Sequence, residues 1–433
     1  MSDVRVNVSL PSALAEAREH YVAANPASLA AHVEATASMP GGNTRTVLFH
    51  SPFPLAMARG VGGRLWDVDG HEYCDLLGEY TAGLYGHSNP IIREAIDAAL
   101  DQGWNLGGHG LMEARLSQAI VKRFPGIDMV RFTNSGTEAN LMAVATACAV
   151  TGRRKVMVFD GGYHGGVMYF GSGGIPINAP HQWVLGIYND PVSAVALAEA
   201  HAGELACILV EPMMGSAGCI PASAAFLGAL REVATQIGAV LIFDEVMTSR
   251  MSEGGMQKRL GITPDMTTLG KYIGGGMSFG GFGGRADIME RYDPRRPDAI
   301  PHAGTFNNNV LTMAAGTAGL TKIFTAEAAD ALFARGEDFR ARLNAASVGV
   351  MQWVGVGSLM CVHFRAGAVE RPMPVSEREA DLRELFFFEM LDRGFYLARR
   401  GMIAMSLEIG EGEIVAFVAA VGEFSEGYAS LLG

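Results

Sequence analysis

Four short apolar runs, DMVRFTN, KVMVFD, ACILVEP and GAVLIFDEV, lie between residues 128 and 246. From about residue 88, helical stretches such as PIIREAIDAAL and LMEARLSQAIVKRF alternate with these runs. Strands apolar on both faces, interleaved with helices, fit a mostly parallel sheet covered on both sides. Such a sheet gathers ligands at the carboxyl ends of its strands. Each run ends in polar or glycine-rich sequence: NSGTEA, GGYHGG, EPMMGSAG and DEVMTSR.

The flanking regions read differently. Residues 11–24 have the pattern of a helix, and MPGGNTRTVLF at 39–49 reads as a turn leading into an extended segment. PLAMARG and GRLWDVDGHEYCDL form a small hairpin system turning at Asp69-Gly70. After about residue 325 come helices and a few short strands. The expected division is an N-terminal segment, 1–75, contributing to a small domain, a large domain at 76–325, and a C-terminal small domain at 326–433. A formal charge of -12 and the lack of a long basic cluster argue against a nucleic-acid partner. The longest apolar run, LMAVATACAV, is too short to cross a bilayer. Five scattered cysteines without a CxxC pair suit a reducing cytoplasm. No metal site is expected.

The strand ends carry the chemistry. In FTNSGTEANLM a strand gives way to Asn134-Ser135-Gly136-Thr137 and then to a helix. Unsatisfied N–H groups at that helix start, with two hydroxyls and a glycine, suit a phosphate. The same residues also read as a Ser/Thr cap supported by Glu138. Asp244 and Glu245 end an apolar strand as in a Walker B segment, but no GxxxxGK[ST] accompanies them, and Gly270-Lys271 is followed by Tyr272. A carboxylate there can instead keep a heteroaromatic nitrogen protonated; the alternative is a solvated strand-end acid. GFGGRA at 281–286 matches a dinucleotide fingerprint without a clear βαβ unit around it. Tyr163, between glycines, could lie flat on a planar ligand, and His164, taken alone, reads as a core histidine. TTLGKYIGGG at 267–276 adds Lys271, the one cation in a small, uncharged stretch. Phosphate cradle, stacking ring, carboxylate and amine together suit pyridoxal 5'-phosphate, whose chemistry needs a lysine for its aldehyde and an acid for its pyridine nitrogen.

The ordered series NSGTEA, GGYHG, EP, FDEV, TLGK, GGR and AGTF resembles class III aminotransferases, from about residue 35 to the C-terminus. That resemblance implies an α/β fold of the pyridoxal-phosphate fold type I, aspartate aminotransferase-like, with a large mostly parallel sheet domain and a smaller α+β domain. TPDMTTLGKYIGGGMSFGGFGGR and MPGGN are similar to glutamate-1-semialdehyde aminomutases, the alternative reading. NPAS, EYTAG and HAGTFNNNV are closer to aromatic β-amino acid transaminases. Where the aminomutases are expected to carry Ser-Gly-Asn-Pro after AGT, this chain has Phe306-Asn307-Asn308-Asn309.

The resemblance implies that Lys271 is the Schiff-base lysine and proton shuttle, and that Asp244 pairs with the ring nitrogen. Tyr163 would stack on one face, with Val246 and Met247 near the other. Ser135, Gly136 and Thr137 would hold the phosphate, and Glu211, in the EP motif, belongs to the cofactor site. Thr305 would reach the phosphate of a neighbouring subunit, making the active unit a homodimer. Arg45 and Arg400 are candidates for carboxylate capture by bidentate pairing; a surface salt bridge is the alternative for each. The expected activity moves an amino group from a β-amino acid to 2-oxoglutarate or pyruvate.

Overall fold

The computed structural model describes residues 9–433. Its centre is a seven-stranded sheet of β1 (Met129–Thr133), β2 (Lys155–Phe159), β3 (Gln182–Gly186), β4 (Leu205–Val210), β5 (Val240–Asp244), β6 (Met266–Gly270) and β7 (Gly280–Gly284). The spatial order is β1-β7-β6-β5-β4-β2-β3. Neighbours from β6 to β3 run parallel; β7 is antiparallel to both β6 and β1. Every residue of β4 and β5 is buried, as strands covered on both faces require. Each large apolar side chain so buried contributes about 1.5–3 kcal/mol of transfer free energy.

The four runs DMVRFTN, KVMVFD, ACILVEP and GAVLIFDEV correspond to β1, β2, β4 and β5. The strand β7, GGFGG, has no sequence signature because glycine is depleted in strands. Close packing explains its composition. A Cβ on Gly280 would lie 2.0 Å from the Ser135 carbonyl oxygen, and one on Gly284 2.3 Å from that of Asp265. The match GFGGRA therefore falls on an antiparallel strand and not in a βαβ unit.

Outside this sheet, Met57–Val61, Arg64–Asp67 and Glu72–Asp75 form an antiparallel meander whose last strand pairs in parallel with Phe395–Tyr396. The N-terminal region is thereby tied to the far end of the chain. A three-stranded sheet of Met351–Val356, Leu359–Phe364 and Met402–Ala404 lies nearby in sequence. One hydrophobic cluster runs from Leu14 and Tyr21 through Ile273 and Met313 to Phe386 and Phe417. The helix read at 11–24 is Leu10–Ala24, capped by the Ser9 side chain. The segment after MPGGN is not extended: Thr46–Leu48 is a 3-10 turn, closed by Leu48 N–H donating to the Arg45 carbonyl at 2.9 Å. All five cysteines are unpaired, and no helix among the described residues is long and apolar enough to cross a membrane.

Candidate active site

The strands β5 and β6 run side by side with Asp244 opposite Thr268. Asp244 is the last residue of β5, and Lys271 follows directly on β6. Their side chains thus start at the carboxyl edge of adjacent parallel strands. Lys271 has φ 55, a left-handed conformation uncommon for a residue with a side chain, of the kind that clusters at functional sites. Burial lowers its ammonium pKa, Asp244 and Glu211 oppose that shift, and Arg45 and Arg400 reinforce it. The net direction favours a neutral amine. Asp244, Glu211, Arg45 and Arg400 all lie within electrostatic reach of the Lys271 amine.

Asp244 is buried and fully engaged. Its Oδ2 accepts from Asn140 Nδ2 at 2.8 Å and lies 2.8 Å from His164 Nδ1, while Oδ1 accepts from the Val246 N–H at 3.0 Å. Asn140 is fixed in turn: its Oδ1 accepts from Thr268 Oγ1 at 2.7 Å, and its amide also donates to the His164 carbonyl at 3.1 Å. With its proton on Nδ1, His164 donates to the carboxylate. His164 is buried, as a core histidine would be, yet it touches the central acid. Asn140 went unforeseen in the sequence. Its signal was position, one helical turn after Gly136 on the same motif, where a polar side chain must find partners if buried.

Glu211 is also buried, and both its oxygens accept backbone donors: the Tyr163 N–H at 2.9 Å and the Gly215 N–H at 3.2 Å. Burial pushes its pKa up to about 7, with Asp244 adding to the rise and His164 opposing it. Glu211 therefore pins the loop that carries Tyr163. The Tyr163 ring stays open to solvent at 42% exposure. It meets Tyr169 edge-on at 5.7 Å.

At the start of the helix Gly136–Thr151, Ser135 Oγ accepts from the Glu138 N–H at 3.2 Å, and Glu138 accepts from the Asn134 N–H at 2.9 Å. The cap is real, and it leaves the N–H groups of Gly136 and Thr137 without intrahelical acceptors. Thr137 Oγ1 accepts from the Gly166 N–H at 3.3 Å, joining this turn to the Tyr163 loop. Val246 explains why position 136 is glycine: a Cβ there would lie 3.0 Å from both Val246 methyl carbons. Met247 packs against Gly215 in the same way. Thr305 lies on an exposed turn, two residues from Asn307, whose side chain accepts from Asn134 Nδ2 at 3.1 Å.

The two arginines converge. The Arg45 guanidinium carbon lies 5.3 Å from the centre of the Tyr80 ring, and that of Arg400 lies 5.2 Å from it. Arg45 is ion-paired with Glu79. Arg400 donates to the Met402 sulfur at 3.0 Å, and its Nε is buried without a hydrogen-bond partner among the described residues. Neither Tyr80 nor Glu79 was singled out as a site residue from the sequence. A separate cleft of about 570 Å³, lined by Arg231, Asp265, Arg285 and Arg291, opens at the amino ends of β5 and β6, away from Lys271.

Residues 49–407 match the family described as aminotransferase class-III. The chain belongs to the class-III aminotransferases. It is 53% identical to the β-phenylalanine transaminase of Variovorax paradoxus, an alignment covering 98% of this chain and 99% of that protein. It is 39% identical to a glutamate-1-semialdehyde 2,1-aminomutase of Nitratidesulfovibrio vulgaris, over 83% of this chain and 89% of that one. The solved structure of a β-phenylalanine aminotransferase from Variovorax paradoxus superposes with TM-score 0.96 at 53% identity, covering 98% of this chain and 99% of the other. A transaminase solved with PLP bound superposes with TM-score 0.84 at 32% identity, covering 94% and 98%.

Membership of this family places the enzyme among the fold type I pyridoxal-phosphate aminotransferases. The residues present fit that cofactor. The uncommitted N–H groups of a helix start suit its phosphate. A buried carboxylate suits its ring nitrogen, and an amine of lowered pKa suits its aldehyde.

Proposed function

We propose that this aminotransferase takes the amino group from an aromatic β-amino acid and gives it to a 2-oxo acid, 2-oxoglutarate or pyruvate. The observation that carries this reading is the pair of guanidiniums on Tyr80, both coupled to the Lys271 amine. A reaction with two carboxylic substrates needs a cation for each acid, and the planar fork of arginine orients a carboxylate bidentately. The printed name of the Variovorax relative supports the donor class.

When bound, pyridoxal phosphate supplies an aldehyde that condenses with amines and a ring that takes up negative charge. Asp244, held by Asn140 and His164, keeps a proton on the ring nitrogen. Lys271, with its lowered pKa, would take the proton from the amine-bearing carbon of the donor and act as the proton shuttle. Tyr163 would cover the ring on one side, and Val246 and Met247 would bound the other. Ser135, Gly136 and Thr137 anchor the phosphate. Glu211 acts through the backbone, holding Tyr163 in place.

Arg45 receives the donor's carboxylate in this reading, and Arg400 that of the acceptor. Arg45→Ala is expected to leave the cofactor's visible absorbance intact and to lower kcat/KM for β-phenylalanine by about 10- to 150-fold, the loss of a charged hydrogen-bonded contact. The matched amine 1-phenylethylamine, which lacks the carboxylate, should be much less affected. Equal losses on both donors would show that Arg45 shapes the site without reading the acid.

A homodimer in the cytoplasm completes the proposal. Large apolar side chains stay exposed around the Thr305 turn and the segment before Leu111: Phe306 at 60%, Leu106 at 59% and Trp104 at 55%. Such a group of exposed apolar side chains fits an interface. Thr305 then serves the neighbour's phosphate site. Sedimentation velocity is expected to give a dimer carrying all the activity; a fully active monomer would remove this part of the account. The substrate class is tested by a donor series of β-phenylalanine, α-phenylalanine and 1-phenylethylamine, in which kcat/KM should be highest for the first.

A further inference from the structure

Gly78, Glu79, Tyr80 and Thr81 have consecutive φ values of 53, 45, 51 and 85. Three of the four carry a side chain, and left-handed backbone at such residues persists only where the surroundings impose it. Here they do. Asp75 Oδ1 accepts the N–H groups of Leu77 at 2.9 Å and Gly78 at 3.0 Å. The Leu76 N–H donates to the Tyr396 carbonyl at 2.8 Å, and the Ala404 N–H to that of Leu76 at 2.8 Å. A Cβ at position 78 would lie 2.4 Å from the Ala404 carbonyl oxygen. The strained segment is thus clamped between the N-terminal meander and the C-terminal strands.

The strain fixes where two side chains go. Tyr80 sits against both guanidiniums, and Glu79 forms its ion pair with Arg45 and not with Arg400. Arg400 has no carboxylate partner among the described residues. The pair is open to solvent, with 42% of the Arg45 side chain and 55% of the Glu79 side chain exposed. An exposed ion pair of this kind is weak and easily exchanged.

We propose that Glu79 is a resident carboxylate that an incoming substrate carboxylate displaces from Arg45, and that returns to neutralise Arg45 whenever an uncharged group occupies that position. The inference rests on the reading of Arg45 as the donor's acid receptor. It makes the two arginines unequal. A carboxylate reaches Arg400 without competition, whereas at Arg45 it must replace one already present. Substrates lacking an acid at that end meet a neutral pair instead of a bare cation, so Glu79 sets how strictly the site demands a carboxylate.

The test uses the cofactor-loaded enzyme and 3-phenylpropanoate, a carboxylate with no amine, titrated calorimetrically. Glu79→Gln should tighten its binding measurably, by up to about fivefold, the upper end for removing an exposed competing ion pair. Glu79→Asn, better suited to left-handed backbone, should do the same if lost charge is the cause. In turnover, Glu79→Gln should raise the kcat/KM ratio of β-phenylalanine to 1-phenylethylamine, since the uncharged donor then faces an uncompensated guanidinium. Unchanged or weakened 3-phenylpropanoate binding in both variants would overturn the proposal, leaving Glu79 as a positioning residue for Arg45. Arg45→Ala separates the two layers. If it weakens 3-phenylpropanoate while the Glu79 variants do not tighten it, only the competitor role fails. If it has no effect, the acid-receptor reading fails and the competitor role with it.

Discussion

Lys271→Ala is expected to lower turnover by roughly 10⁴-fold or more, because covalent attachment and proton transfer disappear with one amine. The visible absorbance of the lysine-bound cofactor should vanish with it. The backbone at position 271 is left-handed, and alanine inherits that strain. Lys271→Gly removes the amine and relieves the strain, so its equal inactivity would assign the loss to chemistry. Added small amines such as methylamine should restore part of the rate by supplying a base. Turnover at the wild-type level in either variant would end the assignment.

Asp244→Asn is expected to slow deprotonation of the donor by roughly 10²–10⁴-fold, the span of a lost proton-holding group. The network makes the substitution worse than the removal of a charge. Oδ2 faces the Asn140 amide and His164 Nδ1, while Oδ1 faces the Val246 N–H. An asparagine NH₂ therefore meets a hydrogen-bond donor in either orientation, the Val246 N–H on one side and the Asn140 amide on the other, and a change of the His164 tautomer relieves only one of the contacts on the Oδ2 side. An unsatisfied buried donor costs about 1–3 kcal/mol, so thermal stability should fall as well. Single-turnover absorbance changes at saturating cofactor read the first effect, and a melting curve reads the second. Unchanged deprotonation in a saturated variant would deny Asp244 its role at the ring nitrogen.

The order of strand ends in the sequence was enough to bring Lys271 and Asp244 together. Asp244 ends an apolar run and Lys271 follows the short strand MTTLG, and the carboxyl ends of those two strands meet by the geometry of a parallel sheet. The strand β7 was hidden because its glycines answer to neighbouring backbones and not to strand propensity. Edge strand β3, QWVLG, was missed as well; only two of its five residues, Val184 and Gly186, are buried. The supporting residues depend on contacts between distant parts of the chain. Asn140 matters because Thr268 and Asp244 arrive beside it from two other strands. Tyr80 matters because the pairing of Glu72–Asp75 with Phe395–Tyr396 brings Arg400 to the same ring as Arg45. Nothing local to EYTAG announces either neighbour. Glu211 and Thr137 belong to motifs legible in the sequence, but their side chains hold the Tyr163 loop, a task that only the folded loop reveals.

The central claim is amino transfer from a β-amino acid to a 2-oxo acid. Its most direct test incubates the purified, cofactor-loaded protein with β-phenylalanine and 2-oxoglutarate, and separately with pyruvate, and follows glutamate and alanine. The account predicts that one of these products forms mole for mole with the loss of β-phenylalanine. An aminomutase acting on glutamate 1-semialdehyde would keep its amino group and give neither product from this mixture. Absence of both glutamate and alanine, from protein whose visible spectrum shows the cofactor bound, would contradict the account.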